Sequence, residues 1–119
     1  MEKAVFYSVN NDVATIELNH PSAKVNILTQ DVMRQFNGFV TEAANDSKIK
    51  VLVIRSGKKD VFIAGADIKE IEGILTAEDG ERKAQFGQNI FNHLDDLEIP
   101  TVAVIDGVAL GGGCELALA

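Results

Sequence analysis

Two glycine-rich segments of this 119-residue chain have the composition of turns that bring bare backbone close to a small molecule. "FIAGADIKE" runs from Phe62 to Glu70, and "GVALGGGCELALA" runs from Gly107 to Ala119. Small residues let a substrate approach the main chain, and the first N–H groups of a helix have no partner within it. Two such N–H groups directed at one carbonyl oxygen would form an oxyanion hole, which stabilises an enolate or a tetrahedral oxyanion.

Glu115 supplies a charged group beside the second turn. It lies three residues past Gly112, so a helix that starts at the glycines places this carboxylate in its first turn. There it would lie close to any oxygen that the Gly112 N–H holds, and it could act as a general acid or base. The alternatives are that Glu115 only stabilises the helix dipole and that the glycines only allow tight packing. These residues alone leave both alternatives open.

Cys114 offers a different chemistry at the same turn. A thiol at a helix N-terminus can act as a nucleophile, which would make the protein a cysteine acyltransferase. The two histidines, His20 and His93, are not placed beside it by the sequence. We therefore favour a small, buried, apolar role for Cys114. The glycine turns also lack the motifs of a P-loop, a dinucleotide-binding turn or a hydrolase nucleophile elbow.

The elements that must position these turns alternate between strands and helices. We predict strands over 4–9, 13–19, 50–56 and 101–106, the last two of them buried, and a further strand or extended piece over 61–65. The first two form a hairpin around "NND". Helices are predicted from a Thr29 cap to Asn45, in a short stretch after Gly65, and from a Thr76 cap to just before Pro100. This order predicts a one-domain α/β fold with some parallel strands.

Composition excludes several classes of protein. The net charge of −7 argues against a binder of the nucleic-acid backbone. A single cysteine excludes a disulfide framework and a four-cysteine zinc site, and we predict no metal site. The sequence has neither a signal peptide nor an apolar run long enough to cross a membrane. A cytoplasmic location is the simplest expectation.

Taken together, the motifs resemble those of the crotonase (enoyl-CoA hydratase/isomerase) superfamily. The resemblance covers the whole chain and rests on "ATIELNHPSAKVNILT", "VLVIRSGKKDVFIAGADIKEI" and "IPTVAVIDGVALGGGCELALA". The segments "KVNILT" and "FIAGADI" are most similar to the N-terminal hydratase part of the multifunctional fatty-acid oxidation α-subunit. The resemblance implies that residues 1–119 form the N-terminal portion of a crotonase-like (ClpP/crotonase) fold of repeated ββα units.

The resemblance also implies roles for individual residues. Ala66 and Gly112 match the two N–H donors of the oxyanion hole, and Glu115 matches the first catalytic glutamate. The segment from Ala66 to Lys69 matches the substrate-binding loop, and 23–26 matches a strand end that lies along the CoA nucleotide. Besides Ala66 and Gly112, the positions that match substrate-binding residues are Asp67, Ile68, Lys69, Ala23 and Lys24.

The implied reaction is the addition of water to a 2-trans-enoyl-CoA in fatty-acid β-oxidation. It needs no cofactor, since CoA enters as part of the substrate. The implied partners are the acyl-CoA thioester and, for the full-length protein, either further copies of itself or a thiolase subunit. Alternatives are an enoyl-CoA isomerase, another crotonase-type acyl-CoA enzyme, or a non-catalytic fragment that binds acyl-CoA.

The family pattern includes a second catalytic glutamate that would follow Ala119. The closing run "ELALA" carries none of the usual signals that end a helix. We therefore expect the chain to be truncated and to be inactive alone.

Overall fold

The computed structural model describes residues 2–119, which form an α/β domain. In chain order its elements are β1 (Val5–Asn10), β2 (Val13–Leu18), β3 (Ile27–Leu28), α1 (Gln30–Ala44), β4 (Val51–Ser56), β5 (Val61–Ile63), β6 (Gly65–Ala66), α2 (Ile68–Glu72), α3 (Ala77–Asp95), β7 (Thr101–Val104), β8 (Val108–Ala109) and α4 (Gly112–Leu118). The predicted α/β class and the alternation of strands and helices are confirmed.

The main sheet has the strand order β1-β2-β4-β7. β1 and β2 are antiparallel, and β4 is parallel to both β2 and β7. The predicted hairpin is confirmed, with Asn11 in the left-handed region at φ 56°, which asparagine tolerates better than most residues. Alternation along β2 and β4 directs Ile16, Leu18, Leu52 and Ile54 into the core, where all four are buried.

Both long helices begin at the predicted caps. The Thr29 hydroxyl accepts a hydrogen bond from the Val32 N–H, and the Thr76 hydroxyl accepts one from the Asp79 N–H, each at 3.0 Å. The apolar stripe of α1 is buried and includes Phe36 at 0% exposure. No helix formed by residues 2–119 combines the length and the apolar character needed to cross a bilayer.

Two strand predictions need correction. The strand expected over 101–106 ends at Val104 and is only half buried, with Val102 46% exposed. β7 is the last strand of the main sheet, so no strand pairs with its outer edge. The face of the sheet that carries Val102 is also uncovered among residues 2–119. The strand expected over 61–65 is two strands, because Gly65 has a φ of 134° and breaks the extended run. β5 pairs with β8, and β6 pairs with β3.

Asn26 joins three strands that precede the first glycine turn in the chain. It is buried, and its Nδ2 donates to the Leu18 carbonyl, the Ser56 hydroxyl and the Phe62 carbonyl at 2.9, 2.9 and 3.0 Å. Its Oδ1 accepts from the His20 N–H at 3.3 Å. One amide side chain therefore satisfies groups on β2, β4 and β5 that are shielded from water.

We predict that Asn26→Ala lowers the free energy of unfolding by about 1–3 kcal/mol, because the buried acceptors lose their donor. Urea unfolding followed by circular dichroism measures this change. Asn10→Ala is the control, since Asn10 is exposed at the end of β1, and its effect should stay within about 0.5 kcal/mol. Equal effects of the two substitutions would contradict the role given to Asn26.

Candidate active site

The two glycine turns lie against each other, backbone to backbone. β5 and β8 are parallel neighbours, and the Leu110 N–H donates to the Ile63 carbonyl at 3.0 Å. Gly65 and Gly111 have φ angles of 134° and 50°, in a region that residues with a side chain rarely adopt. Glycine at these two positions is therefore required by the backbone path of each turn.

Gly113 is the point of closest approach between the turns. A Cβ atom placed on this residue would lie 2.6 Å from the Ile63 carbonyl oxygen and 2.7 Å from the Ile63 Cβ. Only a residue without a side chain allows α4 to start this close to β5. Part of the glycine cluster therefore serves packing, which was one of the alternatives that the sequence left open.

Ala66 and Gly112 face each other across the gap between the turns. A Cβ placed on Gly112 would lie 3.9 Å from the Ala66 nitrogen, so the two backbone positions are close neighbours. Gly112 is the first residue of α4, where an N–H has no partner within the helix. The predicted start of this helix at the glycines is confirmed, and Glu115 lies in its first turn.

A cavity of about 370 Å³ opens beside this pair. Four of the residues predicted for the site line it together: Ala66, Asp67, Gly112 and Glu115. Its walls come mainly from β3, α1, α2, α3 and the loop between α2 and α3. The larger apolar side chains among them are Leu28, Met33, Ile71, Ile74, Phe86 and Phe91. The cavity is thus lined mostly by apolar side chains, and the backbone of Gly112 and the carboxylates of Asp67, Glu70 and Glu115 also border it.

Four other predicted site residues do not line this cavity. Ile68 is 69% exposed, and Lys69 is exposed on the same short helix. Ala23 and Lys24 lie in the loop before β3, and not on a strand end as expected. The reason is a turn at 20–22, in which the Ser22 N–H donates to Nδ1 of His20 at 3.2 Å.

The carboxylates that line the cavity differ in their hydrogen bonding. Asp67 caps α2, with its Oδ1 accepting from the Lys69 N–H at 3.0 Å. Glu70 accepts from the Gln30 N–H. Within residues 2–119 the Glu115 side chain is exposed and makes no hydrogen bond or ion pair. Its carboxylate is therefore available to a ligand, whereas the other two are occupied by backbone groups.

Cys114 is exposed, and the buried role predicted for it is wrong. It lies in the first turn of α4 on the side away from the core. Neither histidine hydrogen-bonds to Cys114 among residues 2–119: Nδ1 of His93 is 2.9 Å from the Asn37 Oδ1, and Nδ1 of His20 accepts from the Ser22 N–H. The arrangement gives no support to a cysteine nucleophile.

The sequence prediction missed most of the cavity wall. Phe86 on α3 packs against the core while also lining the cavity. Phe91 and Met33 belong to the same wall. Packing against the core is enough to explain the apolar residues of their helices, so nothing in the sequence marked these two side chains as cavity lining. Glu70 was missed because its partner, the Gln30 N–H, is 40 residues away in the chain.

The model of a family described as enoyl-CoA hydratase/isomerase matches residues 8–119. The chain belongs to the enoyl-CoA hydratase/isomerase family. Among curated relatives in this family, the fatty acid oxidation complex subunit alpha of Shewanella halifaxensis is 41% identical over the whole chain, and that of Shewanella oneidensis is 42% identical over 90% of it. The chain spans 17% and 15% of the lengths of these two proteins.

Solved structures of enoyl-CoA hydratase/isomerase proteins share this fold. An enoyl-CoA hydratase from Bacillus anthracis superposes on 98% of the chain with a TM-score of 0.87 and 26% identity. An enoyl-CoA hydratase/isomerase from Xanthobacter autotrophicus superposes on 99% with a TM-score of 0.89 and 25% identity. The chain covers 45% and 44% of those two chains. The predicted crotonase superfamily and its fold, over the matched portion, are confirmed.

We predict that Gly113→Ala lowers the free energy of unfolding by about 1–3 kcal/mol, because the new methyl group forces α4 away from β5. Alanine otherwise favours a helix over glycine by up to about 1 kcal/mol. Gly38→Ala in α1 is the matched control, since a Cβ there meets no atom within 4 Å, and it should stabilise the protein. Thermal and urea unfolding compare the two, and a stabilising Gly113→Ala would contradict the close approach of the turns.

Proposed function

We propose that the complete natural protein carrying this chain adds water to 2-trans-enoyl-CoA thioesters. The observation that carries the proposal is that Ala66, Gly112 and Glu115 line one mostly apolar cavity. The Ala66 nitrogen lies 3.9 Å from a Cβ built on Gly112, so the two residues are near enough for their N–H groups to serve one oxygen. The family and the names of its relatives support the same reaction.

In the proposed reaction the thioester carbonyl accepts hydrogen bonds from the Ala66 and Gly112 N–H groups. As the oxygen of water bonds to the β-carbon, the π electrons of the double bond move toward the carbonyl and an enolate forms. Backbone donors that are already in place stabilise the charge that develops on this oxygen. They are worth most in a site that excludes water, because the local dielectric is low.

Glu115 would take the proton from the attacking water. Its carboxylate is on the cavity wall and has no competing partner among residues 2–119, which suits a general base. The proton delivered to the α-carbon completes the addition. The resemblance assigns that delivery to a second glutamate that lies outside these residues.

The apolar wall would hold the acyl chain. The side chains of α3 that line the cavity, among them Phe86 and Phe91, would shield the reacting carbons of a bound substrate from water. The CoA nucleotide would extend outside the cavity, where Lys24 and Lys69 are exposed. Lysine ammonium groups can hold phosphates there as point charges.

An isomerase would use the same N–H donors and move a proton between carbons without adding water. We favour the hydratase because a relative of known structure with 26% identity is named as one. A double-bond isomer as the sole product would identify the isomerase instead.

We further propose a cytoplasmic protein that assembles with further copies of itself or with a thiolase subunit.

We predict that Glu115→Gln lowers kcat for hydration of a short 2-trans-enoyl-CoA by about 10²–10⁴-fold, the usual contribution of general acid–base catalysis. KM should change little, because the N–H donors and the apolar wall remain. Steady-state kinetics of the complete natural protein, followed by the loss of enoyl thioester absorbance, gives both constants.

Glu78→Gln is the matched control for this substitution. Glu78 is also an exposed acid in the first turn of a helix, but it lies on α3 away from the cavity wall. If Glu115 only stabilised a helix dipole, both substitutions would leave kcat intact and cost at most about 1 kcal/mol of stability. A kcat of Glu115→Gln equal to that of Glu78→Gln would remove Glu115 from the mechanism.

A further inference from the structure

We infer that Glu70 is a positioning residue, which sets the direction of the Ala66 N–H by fastening α2 to the start of α1. The inference rests on the proposed function, because it gives the Ala66 N–H a role in polarising a thioester. Nothing in the sequence motifs or in the reaction itself requires a carboxylate at this place. One long-range contact and the weak anchoring of the segment that carries Ala66 support this role.

The contact joins the Glu70 carboxylate to the backbone of Gln30. Oε1 and Oε2 lie 2.9 and 3.1 Å from the Gln30 nitrogen. Gln30 is the first residue of α1, so its N–H has no partner within the helix. Thr29 caps the same helix through the Val32 N–H. The start of α1 therefore uses one local cap and one cap that comes from α2, 40 residues further along the chain.

α2 has little else to hold it. It has five residues, none of them buried, and the apolar Ile68 and Ile71 are 69% and 54% exposed. A helix of this length is not stable by itself in water. Among residues 2–119, the Glu70 contact is the one place where a side chain of α2 hydrogen-bonds to another element of the fold. The position of α2 thus depends on Glu70.

The segment that carries Ala66 is attached to the rest of the fold on both sides of this residue. On one side, β6 pairs with β3 through Ile27 with Gly65 and Leu28 with Ala66. On the other side, Glu70 binds the Gln30 N–H, two residues after Leu28. Gly65 precedes Ala66 with a φ of 134°, in a region where only glycine moves freely. Without Glu70, the segment after Ala66 would lose its side-chain tie to α1, and the Ala66 N–H would be held from the side of β5 and β6 alone.

Glu70 also lines the cavity, so a direct acid or base role is the competing explanation. Glutamine separates the two roles, because its carbonyl oxygen can still accept from the Gln30 N–H but cannot take up a proton. A positioning role survives Glu70→Gln and is lost in Glu70→Ala. An acid or base role is lost in both variants.

The experiment measures hydration kinetics and melting temperature for variants of the complete natural protein. We expect Glu70→Ala to lower kcat by about 10–100-fold with KM nearly unchanged, because a displacement of about 1 Å at a reacting group can cost 10²-fold. Glu70→Gln should stay close to the parent. The matched control is Glu72→Ala, which removes the same charge from an exposed position of the same helix and should leave kcat unchanged.

A second variant tests the contact from its other side and covers the case in which Glu70→Ala does not fold. Gln30→Pro removes the N–H at the first position of α1, where proline is well accepted. The residue before it, Thr29, has φ −78° and ψ 164°, which a following proline allows. Gln30→Pro should lower kcat in the parent and add little in the Glu70→Ala background. Additive losses in the double variant would overturn the inference.

Two further outcomes would overturn it: a Glu70→Ala enzyme as fast as the parent, or a Glu70→Gln enzyme as slow as Glu70→Ala. A parent with no hydration activity would instead refute the proposed function. Amide-resolved NMR then decides the inference by itself. Faster exchange at Gln30 and a shifted Ala66 amide resonance in Glu70→Ala, with neither change in Glu72→Ala, would support the tie, and unchanged Gln30 exchange with an unshifted Ala66 amide would refute it.

Discussion

Direct contact between the backbones of two strand-to-helix turns is the constraint on which the site depends. The Leu110 N–H binds the Ile63 carbonyl at 3.0 Å, and α4 begins so close to β5 that Gly113 has no room for a Cβ. This contact fixes the gap between Ala66 and Gly112. It also explains why glycine is needed at several positions for different reasons: Gly65 and Gly111 for their backbone angles, and Gly113 for its lack of a side chain.

The repeated arrangement of the chain produces this contact. β4 and β7 are adjacent and parallel in the main sheet, so their carboxyl ends lie at the same edge. Each continues into a short strand, β5 or β8, and these two strands also pair in parallel. Each short strand leads to a glycine turn and a helix, and the two turns therefore arrive side by side. The helices α1 and α3 then supply the apolar wall of the cavity.

Local signals in the sequence predicted the parts of the fold that depend on local physics. Thr29 and Thr76 were recognised as caps because a hydroxyl at that position bonds the N–H three residues later. The start of α4 and the place of Glu115 followed from the glycine cluster in the same way. The half-exposed strand at 101–104 was misjudged, since an apolar β-branched run does not reveal whether a further strand covers it.

Long-range contacts account for the rest of what the sequence did not reveal. Asn26 and Glu70 bind backbone groups that are 6 to 40 residues away, and neither contact follows from a capping pattern or a periodicity in the sequence. The exposure of Cys114 depends on how the first turn of α4 is rotated against β5, which composition does not specify. The roles of such residues can be recognised only from the folded structure, in which the two turns lie side by side.

The central claim is that the N–H groups of Ala66 and Gly112 donate to one thioester oxygen. Amide-resolved NMR of the complete natural protein, titrated with butyryl-CoA as an unreactive saturated thioester, tests it most directly. The account predicts that the Ala66 and Gly112 amide protons both move downfield and report the same Kd. The Gly113 amide, which already binds the Leu110 carbonyl at 2.8 Å, should move far less. Saturation with butyryl-CoA while either the Ala66 or the Gly112 amide stays unshifted would contradict the account.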